Sequence, residues 1–373
     1  MDDLLSYDRA KLEMLMGALD EPSWRVGQLM QWLWHPGASS YDEMTDLPAT
    51  LREQLATVAP LLRAAVAERL VSRDGARKYL LRFSDGTAVE TVGIPDAGTD
   101  SRLTVCVSSQ AGCALGCVFC ATGQLGLVRD LGAGEIAEQV RVVAQDFGRA
   151  STGVVVMGQG EPFSNYDATL GALRILNDPQ GFNIGARHLT VSTSGIIAGI
   201  ERFAAEPEQF RLALSLHAAT QKLRDRLMPG LAGQPLDRLQ AALVAYRERS
   251  GRRISLEYLL LRNINDRPAD LQALADFARV TRAHINLLPY NQTVGSGTGD
   301  RGSGTVSHLD RKCDTVPDPL SPVPDPLSHF HSSPALREAA EFLRQAGIET
   351  TVRRSRGADI AAACGQLAGQ TRD

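Results

Sequence analysis

Beyond residue 100 the chain alternates short apolar runs with longer amphipathic stretches, and this rhythm restricts the available folds more than any other feature of the sequence. The runs are LTVCV (103–107), GVVVM (153–157), HLTVS (188–192), RLALS (211–215), ISLEYLLL (254–261), INLL (285–288) and ETTVR (349–353). Helical periodicity fills the intervals near 133–147, 166–177, 196–205, 235–249, 268–279 and 334–346. Strands joined through helices lie parallel in one sheet. The expected fold class is therefore α/β, a partial (βα)6-type barrel that is closed or nearly closed. Four of the runs lead straight into polar or glycine-containing segments, MGQGEP, STSG, SLH and PYN. The C-terminal ends of parallel strands build the active sites of such folds, so these four ends point to one pocket.

Upstream, the pattern differs. Residues 1–65 place Leu12, Leu15, Met16 and Leu19 at three- and four-residue spacings, the mark of a small helical domain. Trp24, Trp32 and Trp34 would suit base stacking, but beside Leu29 and Leu33 they read first as core. The stretch 70–94 alternates in the β manner and is punctuated by Asp74-Gly75 and Asp85-Gly86, which suit tight hairpins. A three-stranded antiparallel meander is expected there. The resulting division is a helical domain at 1–65, a meander at 66–100 and a core at 101–369. Within the core, residues 293–332 are dense in glycine, serine and proline and carry VPDPLS twice, so an extended insertion in the last βα connection is expected. Its His308, His329, His331 and Cys313 are metal-capable residues, yet scattered in such a segment they read as linker.

The tightest chemical signal is CALGCVFC, which sets Cys113, Cys117 and Cys120 within one turn of chain. Only six cysteines occur in 373 residues, too few for a disulfide scaffold, so a cluster of thiols points to metal or catalysis. Thiolates are the usual ligands of iron–sulfur clusters, and three of them leave one iron of a cubane open to an exogenous ligand. Zinc is the rival, with Cys106 as the fourth sulfur, but structural zinc more often draws its ligands in two separated pairs. Gly116 and the polar SSQAG at 108–112 argue against a third reading, unligated thiols in a core.

CALGCVFC, a Cys-x3-Cys-x2-Cys loop after the first barrel strand, resembles the radical S-adenosylmethionine signature. ETVGIP (90–95), CVSSQAGC (106–113), FCATGQLG (119–126), MGQGEP (157–162), STSG (192–195), LSLHA (214–218), LPYN (288–291) and RGADIAAACGQLAG (356–369) resemble, in order, motifs of the radical-SAM RNA adenine methyltransferases, the RlmN/Cfr family. Only 293–332 departs from the pattern. The resemblance implies a radical-SAM barrel in which Cys113, Cys117 and Cys120 hold a [4Fe-4S] cluster and S-adenosyl-L-methionine takes the open iron. It also implies cofactor contacts by Gly160, Glu161, Ser192, Ser215, Leu216, His217 and Asn291. Cys364 resembles the cysteine that is methylated by one cofactor molecule and activated by a radical from a second, Cys106 the thiol that resolves the adduct as a disulfide, and Glu90 the proton acceptor. Two cofactor molecules are thus used per turnover. The implied target is carbon 2 of adenosine in 23S rRNA and in tRNA, with a flavodoxin or ferredoxin as electron donor.

Taken singly, these residues are uninformative: His217 would be read as a structural histidine, Glu90 as an exposed strand residue and Cys106 as a small buried hydrophobe. Two other functions stay open, methylation at carbon 8 and a non-enzymatic iron–sulfur or zinc RNA-binding protein. A net charge of −4 gives no general attraction for RNA, so contact would fall to short basic clusters at Arg73, Arg77 and Lys78, at Lys222, Arg224 and Arg226, and at Arg353, Arg354 and Arg356. The N-terminus lacks a basic-then-apolar leader and no apolar run reaches membrane length, so a cytoplasmic monomer is expected.

Overall fold

The computed structural model describes residues 3–35, 37–96, 102–292 and 330–368. Three helices open the chain, α1 (Arg9–Ala18), α2 (Arg25–Trp34) and α3 (Ala49–Val58). Asp8 caps α1 by accepting the Lys11 N–H at 3.0 Å, and the helices turn Leu12, Met16, Leu29, Leu33 and Leu55 inward. These side chains join one continuous core with Ile136, Val140, Leu173 and Leu176 of the later helices. Buried ion pairs fasten the same seam: Glu138 accepts from Arg63 at 2.8 Å and from Arg141 at 2.6 Å, while Arg9 reaches Asp178 at 2.7 Å. The tryptophans divide. Trp34 is in the core, but Trp24 is 58% exposed, with the Arg25 guanidinium over its ring, and Trp32 donates to Asp46 at the surface.

The meander forms as its turn residues require. Strands β1 (Ala65–Val71), β2 (Arg77–Arg82) and β3 (Ala88–Pro95) are antiparallel, and the linking Gly75 and Gly86 adopt φ of +85° and +86°. The aspartate before each glycine accepts the backbone N–H two residues on, from Ala76 at 3.0 Å and from Thr87 at 2.9 Å.

The core supplies β4 (Leu103–Val107), a hairpin of β5 (Gln110–Gly112) and β6 (Leu127–Asp130) enclosing α4 (Ala121–Gln124), and then α5 (Ala133–Phe147) and β7 (Gly153–Val156). It continues through α6 (Tyr166–Asn177), β8 (Leu189–Thr193), α7 (Ile197–Ala205), β9 (Arg211–Ser215), α8 (Gln221–Leu227), α9 (Leu236–Ser250) and β10 (Ile254–Leu260). The last elements are α10 (Pro268–Thr281), β11 (His284–Pro289), α11 (Leu336–Gln345) and β12 (Thr350–Val352). Every predicted strand and helix of the core is present, with ends that shift by a residue or two. The β5–β6 hairpin carries no alternating pattern long enough to read.

Ten strands form one sheet in the order β1-β2-β3-β4-β7-β8-β9-β10-β11-β12, and from β4 onward neighbours are parallel. The sheet stops short of closure, as a partial barrel does. β3 pairs antiparallel with the outer edge of β4, so the edge a closing strand would need is already occupied. The barrel is therefore partial. Of the insertion, residues 293–329, with His308, Cys313 and His329, lie outside the described residues. Its last residues rejoin the core: Ser332, itself exposed, forms a β-bridge with Leu261, and the Phe330 ring lies 5.9 Å from that of Tyr290.

Candidate active site

A cavity of about 990 Å³ runs along the concave face of the sheet and takes in all four strand ends predicted to converge. Cys113, Cys117 and Cys120 line it together with Cys364 and Asn291, and Gly160, Glu161, Ser192, Ser215 and His217 form its strand-end rim. Cys106 lines it from β4. Leu216 and Glu90 do not. The Leu216 side chain is in the core with its N–H on the Glu257 carbonyl at 3.0 Å, and Glu90 lies behind the Cys364 segment.

The thiol loop is held by backbone contacts. Cys113 N–H donates to the Gly126 carbonyl at 2.8 Å, Val118 N–H to Leu227 at 3.0 Å and Gly230 N–H to Leu115 at 2.9 Å. Around it pack Leu115, Phe119, Leu227, Met228 and Tyr290. This apolar nest disfavours the thiolate: burial pushes Cys113 up to about 11 and raises Cys117 further. Buried thiols such as Cys113 and Cys117 ionise only against a positive group seated beside them, and an iron cluster provides that charge. Among the described residues no three His, Cys, Asp or Glu side chains converge as they would on a single ion. A cubane demands less convergence, because each thiolate takes a different iron. The residues therefore fit a cluster better than one zinc ion.

Glu161 ties the rim together. One carboxylate oxygen accepts from Thr193 Oγ1 at 2.7 Å and Phe163 N–H at 2.9 Å, and the other from Ser194 N–H at 2.7 Å. Burial raises its pKa against the pull of these bonds. The preceding Gly160 has φ of +98°, and a Cβ there would stand 2.6 Å from Gln110 Cβ and 2.8 Å from Gln110 N, so only glycine fits. Ser192 and Ser215, on neighbouring strands, place their hydroxyls 3.2 Å apart.

His217 is set with equal care. It adopts φ of +54°, held by Asn265, which is wholly buried and donates Nδ2 to the His217 carbonyl at 2.8 Å and the Leu259 carbonyl at 2.7 Å. Its Nδ1 accepts the Leu259 N–H at 3.1 Å. Burial, and then Arg224, lower its pKa to about 3. A neutral ring with Nδ1 as acceptor carries its proton on Nε2, so the histidine is a fixed donor.

Residues 361–368 form a strap that brings Cys364 into the cavity. Ala121 N–H donates to the Gly365 carbonyl at 2.9 Å, Thr122 Oγ1 to Leu367 at 2.6 Å and Gln366 Nε2 to the Gln292 carbonyl at 2.6 Å. Asn291 Nδ2 donates to the Cys364 carbonyl at 3.4 Å, and its Oδ1 accepts from Ser355 at 2.5 Å. Cys364 is exposed toward the cavity yet recessed within it, and burial followed by Glu257 raises its thiol. Cys106 packs against Ala362 and Leu367 of the strap, and burial and then Cys364 raise its thiol too. Both are free thiols.

The chain matches the Radical SAM superfamily over residues 107–278 and the ribosomal RNA large subunit methyltransferase N-terminal domain over residues 2–61. A protein of Gemmatimonas aurantiaca named "probable dual-specificity RNA methyltransferase RlmN" is 42% identical over 372 residues, 98% of this chain and 93% of that protein. The chain belongs to the RlmN family. A second RlmN-named relative, from Symbiobacterium thermophilum, is 41% identical over 95% of this chain and 87% of its own length. The crystal structure of a radical SAM methyltransferase from Sphaerobacter thermophilus superposes with a TM-score of 0.83 at 40% identity, covering 99% of this chain and all of that one.

Set in the RlmN family, several side chains gain roles that sequence reading missed. Arg224 and Lys78, which the basic clusters assigned to an RNA surface, are buried. Arg224 donates to the Leu216 carbonyl at 2.6 Å and to Ser194, tying two strand ends, and Lys78 pairs with Glu90. Arg77 is likewise committed, to Asp146 at 2.6 Å. Glu257 and Asn286, bonded at 2.8 Å, pair within strands read only as apolar, and Asn265, in the turn after β10, accepts the Leu261 N–H at 2.7 Å. Charge inside an otherwise apolar run, as in ISLEYLLL, was the available signal.

Proposed function

We propose that this chain is a radical S-adenosylmethionine enzyme that methylates carbon 2 of adenosine in RNA, in 23S rRNA and in tRNA. The observation that carries the reading is the placement of Cys106 and Cys364, distant in sequence, around one cavity that the three-thiol loop also lines. Carbon 2 of adenine lies between two ring nitrogens and is too electron-poor to take a methyl cation directly, which is why protein sulfur is needed.

When bound at Cys113, Cys117 and Cys120, a [4Fe-4S] cluster together with S-adenosylmethionine would supply an electrophilic methyl group and, from a second cofactor molecule, a carbon-centred radical. Cys364, recessed yet open to the cavity, is the residue positioned to carry the methyl. His217 offers a fixed Nε2–H, the Ser192 and Ser215 hydroxyls a paired donor and acceptor, and Gly160 a close backbone approach to the cofactor. After the base is bonded through carbon to the Cys364 sulfur and has given up the carbon 2 proton and one electron, for which the oxidised cluster would be the acceptor, attack by Cys106 sulfur on the Cys364 sulfur breaks the sulfur–carbon bond, the freed methylene takes up a proton to become the methyl group, and the two cysteines are left as a disulfide. Glu90, which the resemblance makes the proton acceptor, lies outside the cavity behind the Cys364 segment, so the proton that leaves carbon 2 reaches it only as that segment shifts.

The relatives carry the name RlmN, the branch that the resemblance associates with carbon 2, so carbon 2 is preferred to carbon 8. Residues 1–65 act in this reading as an RNA-contacting unit, 66–100 as the meander that backs the strap, and 101–369 as the catalytic core. No helix among the described residues is long and apolar enough to cross a membrane. A cytoplasmic monomer reduced by a flavodoxin or ferredoxin completes the proposal. Nucleoside mass spectrometry of rRNA and tRNA from cells with and without the gene tests it: gene-dependent 2-methyladenosine is expected, and 8-methyladenosine or no change would refute it.

A further inference from the structure

We infer that Lys78 is a positioning residue for the Cys364 strap, working with Glu90 as a two-point latch across its back. The two residues occupy diagonal positions on one face of neighbouring strands, since Lys78 pairs with Val92 and Leu80 with Glu90. Lys78 Nζ lies 2.6 Å from Glu90 Oε1, and both side chains are at least nine-tenths buried. Each also takes hold of the strap. Lys78 Nζ donates to the Ala361 carbonyl at 3.2 Å, and Glu90 Oε2 accepts the Ala368 N–H at 2.6 Å. Cys364 sits between these two anchors.

A buried ion pair is seldom a net source of stability, because removing two charges from water offsets most of their attraction. Here each charge does something further, bonding to one end of the segment that delivers the thiol. Charge-assisted bonds of this kind are short and directional, suited to fixing a loop with little regular structure of its own. Ala121, Thr122, Asn291 and Gln292 hold the strap from outside the meander, so the latch is what ties it to β2 and β3.

The inference rests on the reading of Cys364 as the methyl carrier, and its test separates the two. In anaerobically purified holoenzyme, the rate of Cys364 alkylation by iodoacetamide is measured by peptide mass spectrometry for wild type, Lys78→Met, Lys78→Arg and the double variant Lys78→Met/Glu90→Leu. Loss of one charge-assisted bond is expected to speed alkylation of Cys364 in Lys78→Met about tenfold. The iron–sulfur absorbance should be kept, and Lys78→Arg should restore most of the protection. RNA methylation should fall about tenfold or more in kcat, with KM for RNA nearly unchanged. Should Lys78→Met fail to fold, the double variant decides, because it leaves no orphaned carboxylate. Wild-type alkylation in a folded variant lacking Lys78 overturns the latch. Faster alkylation in an enzyme whose wild type methylates no RNA upholds the latch and removes the functional reading instead.

Discussion

Leu259 donates its backbone N–H to Nδ1 of His217 at 3.1 Å, fixing which face of the imidazole meets the cavity. Because the folded pKa, about 3, is below the free value of 6.5, the unfolded chain binds the extra proton first as pH falls. The stabilisation is complete above pH 6.5 and declines below it by roughly 1.4 kcal/mol per pH unit until the folded ring titrates. Denaturant unfolding of His217→Gln and wild type between pH 4 and 7 should show that difference in slope, and ¹⁵N spectra should report Nδ1 unprotonated at neutral pH. Parallel pH profiles would remove the assignment.

Asn265 is the prop behind that histidine. Asn265→Ala would strip a buried acceptor from Leu261 N–H, bonded at 2.7 Å, and donors from two carbonyls. A loss of about 3 kcal/mol in unfolding free energy is expected, together with weaker S-adenosylmethionine binding by calorimetry. Unaltered stability would show that water replaces the amide.

The seam at Glu138 should be equally sensitive. With Arg63 and Arg141 both directed at one buried carboxylate, Glu138→Ala leaves two cations uncompensated and should cost about 3–5 kcal/mol. Chemical denaturation measures it, and a change below 1 kcal/mol would mean that the arginines find solvent.

Alanine at Cys113, Cys117 or Cys120 should abolish the iron–sulfur absorbance of anaerobically purified protein, whereas alanine at Cys106 or Cys364 should leave it. Loss of iron in Cys106→Ala would restore the four-thiol reading.

The two-thiol chemistry predicts a trapped species. Cys106→Ala should complete addition to the base but fail to release it, giving an RNase-sensitive, slow-migrating band in denaturing gels. Cys364→Ala should give none, since it never receives a methyl group. Normal turnover by Cys106→Ala would end the resolving role proposed for that residue.

The parallel strands were legible because strands buried on both faces are continuous apolar runs, and the helices between them because amphipathic periodicity survives any packing. The cluster loop was legible by its thiol spacing alone. What escaped reading were the residues whose partners lie far along the chain: Lys78 looked like a surface cation beside Arg77, and its contacts with Glu90 and Ala361 exist only once the sheet has brought residue 361 back over the meander. Arg224 was misjudged for the same reason, since the carbonyls it caps belong to two different strand ends. The partial barrel was legible in the strand–helix alternation, but which strand occupies the outer edge of β4 is a competition that no local pattern encodes.

The strap that roofs the thiols follows every strand of the ten-stranded sheet in the chain. During synthesis, therefore, the loop at Cys113–Cys120 is complete long before residue 365 arrives to accept the Ala121 N–H. Closing a loop of that length is entropically slow as well as late. Until then Ala121 and Thr122 lack the partners that residues 365 and 367 supply, so the cysteine loop is among the first parts of the site to be made and among the last to be pinned.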